Sequence, residues 1–178
     1  KQQYFLVSAS IQNIINDHIK RYKDLHTLPE YAAIHINDTH PAICIPEIMR
    51  ILMDDHGFGW DEAWDIVTRT VGYTNHTILQ EALETWSEDL IKKTVPRIYV
   101  IIQEINRRYT ADLWNMFPGD WDKISRLAII ANNRIRMANL SVVASHKVNG
   151  VSALHSDIIK RSLFNEYYQI TPEKFTNV

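Results

Sequence analysis

Apolar residues Tyr4, Val7, Ile11, Ile14, Ile15, Ile19 and Tyr22 recur at helical spacing and predict a helix over residues 3–23. Its Lys- and Arg-bearing end suits the negative pole of a helix. Residues 25–30 read as a turn, with Pro29 excluding continuation. Residues 31–36 then read as a short buried strand, followed by the polar cluster Asn37-Asp38-Thr39-His40-Pro41 and a helix to about His56 carrying Ile45, Ile48, Met49 and Leu52. Pro41, with fixed φ and no N–H, suits the first turn of that helix, and Asp38 or Thr39 is placed to cap it. Gly57-Phe58-Gly59 breaks the pattern, and helical spacing resumes over 60–71, with Trp60 and Trp64 expected in the core rather than as sugar platforms.

A second polar cluster, Gly72 to Thr77, follows. Residues 81–86 are short and acidic, and Ser87 is placed to cap a helix with Glu88 and Asp89 in its first turn and Lys92 and Lys93 in its last. Pro96 starts or kinks the next helix, whose face is Ile98, Ile101, Ile102, Ile105 and Tyr109, with Asn106, Arg107 and Arg108 expected on a solvated face. Residues 110–122 read as a loop around Pro118-Gly119, and 127–130 as either a strand or a helical turn. Residues 134–144 are weakly amphipathic. A third polar cluster spans Ala144 to His155; within it 148–151 read as extended, and 152–164 read as a helix. The expected class is helix-rich α/β.

Composition narrows the function. With 178 residues and 46% hydrophobic side chains, a folded core is expected. A net charge of −2 argues against nucleic acid and against a polybasic membrane surface. The single cysteine, Cys44, has no internal disulfide partner and points to a reducing, cytoplasmic setting. No run reaches the roughly 18 apolar residues of a membrane span, and no signal peptide is evident. The chain opens without Met inside a periodic helix and closes just after Thr171-Pro172 signals a helical turn, so an internal piece of a longer polypeptide is expected.

The three polar clusters carry the chemistry. Each follows an apolar run and precedes a helix-like run, and open α/β sheets keep ligands at the carboxyl ends of their strands. Asn, His and Thr supply paired donors and acceptors for hydroxyls. Lacking CxxC or HExxH spacing, the clusters suggest a hydroxyl-binding cleft rather than a metal cage. Two rival readings stay open: a metal-dependent hydrolase in which Asp38, His40, His76, His146 and His155 converge, and a non-catalytic helical interaction module in which the clusters are only helix caps.

Together the clusters HINDTHPA, YTNHTILQEALETW and SHKVNGVSALHSDIIK, with flanks YFLVSASIQNII and ITPEKF, closely resemble the α-glucan phosphorylases (glycogen, starch and maltodextrin phosphorylase). The resemblance covers essentially the whole chain, departing at Gln80, where many members have Pro, and at Ser152, where many have Ala. It implies a two-lobed, Rossmann-like (GT-B) glycosyltransferase architecture. Residues 1–151 would form the latter part of the N-terminal lobe and 152–178 the start of a truncated C-terminal lobe. It implies phosphorolysis of terminal α-1,4 glucosyl units to glucose 1-phosphate, assisted by the phosphate of pyridoxal phosphate, in a homodimeric parent. By the same resemblance His76 is the active-site histidine that meets the glucosyl unit around its 6-hydroxyl, and Asn149 binds that hydroxyl. Asp38, His40 and Glu84 line the β-side of the anomeric carbon, and Thr77 neighbours His76. The family's cofactor lysine and phosphate-binding residues have no counterpart here, since none of Lys92, Lys93, Lys147 or Lys160 lies in that motif. This chain is therefore expected to hold no pyridoxal phosphate, bind no metal and be inactive alone.

Overall fold

A computed structural model describes residues 1–177. Helix α1 (Gln2–Tyr22) is closed by Lys23 in the left-handed conformation, whose N–H returns to the Ile19 carbonyl. A 3₁₀ turn (Leu25–Thr27) and the short helix α2 (Leu28–Tyr31) replace the expected turn. Pro29 sits in the first turn of α2, where a missing N–H costs nothing, and Asp24 Oδ1 accepts from the His26 N–H.

Strand β1 (Ile34–Asn37) leads through a tight turn into α3 (Cys44–Arg50), which continues as a π-helical segment (Ile51–Asp55). The helix starts later than Pro41 suggests. The Ala42 N–H bonds to Thr39 and the Cys44 N–H to Pro41, so the intervening residues form turns. Neither Asp38 nor Thr39 caps α3; the Asp38 carboxylate instead accepts from the Thr39 backbone N–H.

Helix α4 (Trp60–Thr70) runs directly into β2 (Val71–Asn75). A 3₁₀ turn (Gln80–Ala82) and strand β3 (Thr85–Ser87) follow, then α5 (Glu88–Thr94) and the long α6 (Pro96–Met116). Ser87 stands at the N-cap of α5 without a side-chain bond.

The loop expected over 110–122 is largely helical. Leu113, four residues past Tyr109, is fully buried and extends the apolar stripe by a turn, and Thr110 Oγ1 satisfies the Asn106 carbonyl. Gly119, at φ 87°, makes the turn before α7 (Trp121–Leu127). Nor are residues 106–108 merely solvated: Asn106 Oδ1 accepts from the Ile130 N–H, and Arg108 bonds Glu104 and Asp61 while stacking on Trp60.

Strands β4 (Ile130–Ala131) and β5 (Arg134–Arg136) precede α8 (Met137–Ala144), which is buried nearly all round, hence its weak amphipathicity. Strand β6 (Lys147–Gly150), α9 (Ala153–Arg161), α10 (Asn165–Ile170) and a last 3₁₀ turn (Pro172–Lys174) complete the chain. Ser152 Oγ caps α9 through the His155 N–H at 3.1 Å.

Two sheets organise these elements. One is parallel, in the order β1-β2-β6; the other is antiparallel, in the order β3-β5-β4. In the parallel sheet Ile36 pairs with Tyr73, and Tyr73 with Val148, and all three are buried in the core. The same core takes in Ile48 and Leu52 from the α3 segment, Ile102 and Ile105 from α6, and Ile159, Phe164 and Tyr167 from the last helices. Glu47 of α3 is fully buried, with Tyr4, Ser8 and Arg50 all donating to its carboxylate. No helix among the described residues is long and apolar enough to cross a membrane.

Candidate active site at the carboxyl edge of the parallel sheet

Side chains alternate across a strand. With Ile36, Tyr73 and Val148 turned into the core, their neighbours share the opposite face: His35, Gly72 and Lys147 in one row, and Asn37, Thr74 and Asn149 in the next. The second row is the last full row before the chain leaves the sheet. Because all three strands are parallel, their carboxyl ends finish on one edge, and the three polar clusters of the sequence meet there.

The edge is tightly interlocked. The Asp38 N–H continues the ladder to the Thr74 carbonyl at 2.9 Å, and Asp38 takes φ 64°, a left-handed conformation that Asp tolerates. His76 is exposed, and its Nε2 bonds Asn37 Oδ1 on the neighbouring strand. Thr74 Oγ1 donates to Asn149 Oδ1 at 3.0 Å and lies 2.6 Å from His35 Nε2. Buried Asn75 accepts from the Thr77 N–H at 3.1 Å and donates to the Tyr73 hydroxyl at 3.0 Å. Burial pushes the Tyr73 phenol well up, so it stays protonated.

His155 clamps the second and third clusters together. Its Nδ1 accepts from the Val151 N–H, so Nε2 carries the proton that is donated to the Thr77 carbonyl at 3.1 Å. Gly150 sits where no side chain fits: a Cβ would meet His155 Cγ and the Ser156 nitrogen at 2.8 Å. Beside the edge, His76, Thr77, Ser152 and His155 line a shallow depression rimmed by Ile78, Leu79, Val151 and Leu154, all exposed.

Of the residues singled out in the sequence, Asp38, His76, Thr77 and Asn149 thus sit together on this edge. His40 lies just beyond Asp38, exposed, with its carbonyl accepting from Gln3. Glu84 lies in the approach to β3, its carbonyl bonded to the Met137 N–H at 3.1 Å and its Oε2 buried without a hydrogen-bond partner. Among the described residues no hydrogen bond links its side chain to the strand edge.

His35, Asn37 and Thr74 carry no assigned role in the sequence reading, and His155, named there only for the metal reading, instead clamps two loops. A period-two alternation of polar with apolar positions in β1 marks the first two. Trp60 and Trp64 pack against the core and line a separate cavity of about 200 Å³, sharing no residue with the strand edge. His146 turns its Nδ1 to the Val71 carbonyl and His155 is engaged as described, so the five side chains of the metal-hydrolase reading do not converge. Among the described residues no three His, Cys, Asp or Glu side chains are grouped to hold an ion.

Fold and edge together define an α/β protein whose strand ends gather amide, imidazole and hydroxyl groups suited to a polyhydroxylated ligand. The family model described as carbohydrate phosphorylase matches residues 1–178. Similar proteins include a glycogen phosphorylase of Bacillus subtilis, 48% identical over 99% of this chain and 22% of that protein. A cytosolic alpha-glucan phosphorylase 2 of Arabidopsis thaliana is 50% identical, and the brain form of human glycogen phosphorylase 44%, each over 99% of this chain and 22% of the relative. The chain belongs to the carbohydrate phosphorylase family. It spans 22% of the length of these curated relatives.

Proposed function

We propose that this chain is part of a longer α-glucan phosphorylase and supplies one wall of its glucosyl pocket. The reaction is transfer of a terminal α-1,4 glucosyl unit to inorganic phosphate, giving glucose 1-phosphate. One observation carries the reading: three polar segments far apart in sequence finish on one edge of one parallel sheet, with His76 and Asn149 both tied into its last row through Asn37 and Thr74.

On this reading residues 1–151 belong to the N-terminal lobe of a two-lobed GT-B enzyme and 152–178 lead into the C-terminal lobe. The opposite wall of the cleft comes from that C-terminal lobe. The exposed apolar rim of Ile78, Leu79, Val151 and Leu154 is the kind of surface a closing lobe would cover. Asn149 offers an N–H to the glucosyl 6-hydroxyl, and His76 meets the same hydroxyl, partly through its carbonyl. Asp38 and His40, with Glu84 further off, place negative and dipolar groups on the β-side of the anomeric carbon, where an oxocarbenium-like transition state carries positive charge. Thr77 holds the loop through its bonds to Asn75 and His155. The parent would be a cytoplasmic homodimer acting on α-1,4-glucan and phosphate.

Pyridoxal phosphate belongs to the family chemistry, as a proton donor and acceptor for the substrate phosphate. The residues described do not fit it. Lys174, whose pKa burial lowers, donates its ammonium to the Val142 and Val143 carbonyls, and Lys147 donates to the Glu173 carbonyl. Neither stands beside an anion cradle. The cofactor is assigned to the rest of the parent, and no step is routed through it.

The test is phosphate-dependent release of glucose 1-phosphate from maltodextrin. The full-length protein should show it, His76→Ala should reduce it by about a hundredfold or more, and the 178-residue chain alone should show none. Undiminished turnover by His76→Ala would remove the edge from the active site.

A further inference from the structure

We infer that Thr74 and His35 are positioning residues that, with the Gly150 carbonyl, lock the Asn149 carboxamide in the orientation presented to the sugar. The inference rests on the glucosyl-site reading above, and it adds two side chains that would not themselves touch substrate.

One row of hydrogen bonds links the three side chains. The Asn149 side-chain atom 2.8 Å from the Gly150 carbonyl must be the nitrogen, because a carbonyl oxygen only accepts. The other end, Oδ1, therefore faces Thr74 at 3.0 Å, and the Thr74 hydroxyl must give it its single proton. Thr74 Oγ1 then has only lone pairs left for His35 Nε2 at 2.6 Å, so His35 must be the donor, through its Nε2–H. A backbone carbonyl at one end thus sets the polarity of three side chains on three strands. The second Asn149 N–H remains for a ligand, and the amide is barred from turning over to offer oxygen instead.

His35, Thr74 and Asn149 share one face, the two partners of Asn149 standing on β2 and, beyond it, β1. Thr74 is almost fully buried, so an acceptor pointed at its hydroxyl has no water to replace a lost proton. Removing that proton leaves Oδ1 without its donor, so only the bond to the Gly150 carbonyl holds the carboxamide. Held at one end, the carboxamide can swing about that bond, and its free N–H is no longer fixed toward the sugar.

The test is calorimetric titration of glucose into the full-length phosphorylase containing this chain. Thr74→Val, nearly isosteric but without the hydroxyl, and His35→Leu should each weaken glucose by about tenfold. Thr74→Ser and His35→Gln, which keep an O–H and an N–H donor, should return affinity to within about twofold. Asn149→Ala is the control, and Asn149→Ala combined with Thr74→Val should be no weaker than Asn149→Ala alone, because Thr74 acts only through Asn149. Thr74→Val binding as wild type while Asn149→Ala weakens glucose overturns the positioning role and leaves the site standing. No effect of Asn149→Ala overturns the site itself. Should Thr74→Val fail to fold, exposed His35 carries the test through His35→Leu and His35→Gln. Equal weakening by both His35 variants would overturn the inference.

Discussion

The two sheets of this molecule are each three strands wide, yet only one of them gathers chemistry. In the antiparallel β3-β5-β4 sheet, successive strands end on opposite edges, so no edge collects more than a share of the strand ends. Its side-chain bonds are local staples, such as Arg134 to the Thr85 carbonyl and hydroxyl, and Ile135 anchors it in the core. In the parallel sheet every strand ends on the same edge, and Asp38, His76 and Asn149 arrive there from positions far apart in sequence. Strand direction, more than residue composition, separates the two sheets.

Breaking the parallel sheet should be the most damaging change. Tyr73 is buried in its centre, packs near Phe164 and bonds Asn75, so Tyr73→Ala should cost about 3–5 kcal/mol in denaturant unfolding of the chain. Gly150→Ala should follow. Its new methyl would meet His155 and Ser156 at under 3 Å, costing about 1–3 kcal/mol by the same measurement and weakening glucose in the full-length protein.

Arg134→Ala on the antiparallel side should change stability by no more than about 0.5 kcal/mol and leave glucose affinity alone, despite its three hydrogen bonds. A comparably small effect, visible only through its pH dependence, concerns Glu104 on α6. Donation from Arg107 and then Arg108 holds its carboxyl down at about 2, against an ordinary value near 4.5. Its contribution is therefore complete above about pH 4.5 and fades as pH falls toward 2. At this partly exposed site it should amount to less than about 1 kcal/mol. Unfolding of wild type and Glu104→Gln should differ near neutrality and converge in acid.

Much of this was legible in the sequence. Long periodic runs gave α1, α4 and most of α6, and the polar clusters marked the ends of all three parallel strands. What escaped has physical causes. Strands of two or three residues, such as β3 and β4, carry too few positions to show alternation. The end of α6 was hidden because Leu113 alone extends the stripe through a polar stretch. Asp38 and Thr39 have the residue types of a helix cap, but the Asp38 backbone turns left-handed and its carboxylate serves the Thr39 N–H. The row from His35 to Asn149 depends on strand register, which no local pattern supplies. Glu84 could be proposed for the site only through the family resemblance, and its buried, unpartnered oxygen lies in the approach to β3.

A crystal structure of the full-length protein grown with glucose would decide whether this strand edge holds the sugar. The sugar should lie against the carboxyl edge of β1, β2 and β6, with its 6-hydroxyl in hydrogen-bond reach of Asn149 Nδ2 and of His76. Glucose bound elsewhere, with His76 and Asn149 facing solvent or another chain segment, would contradict the account.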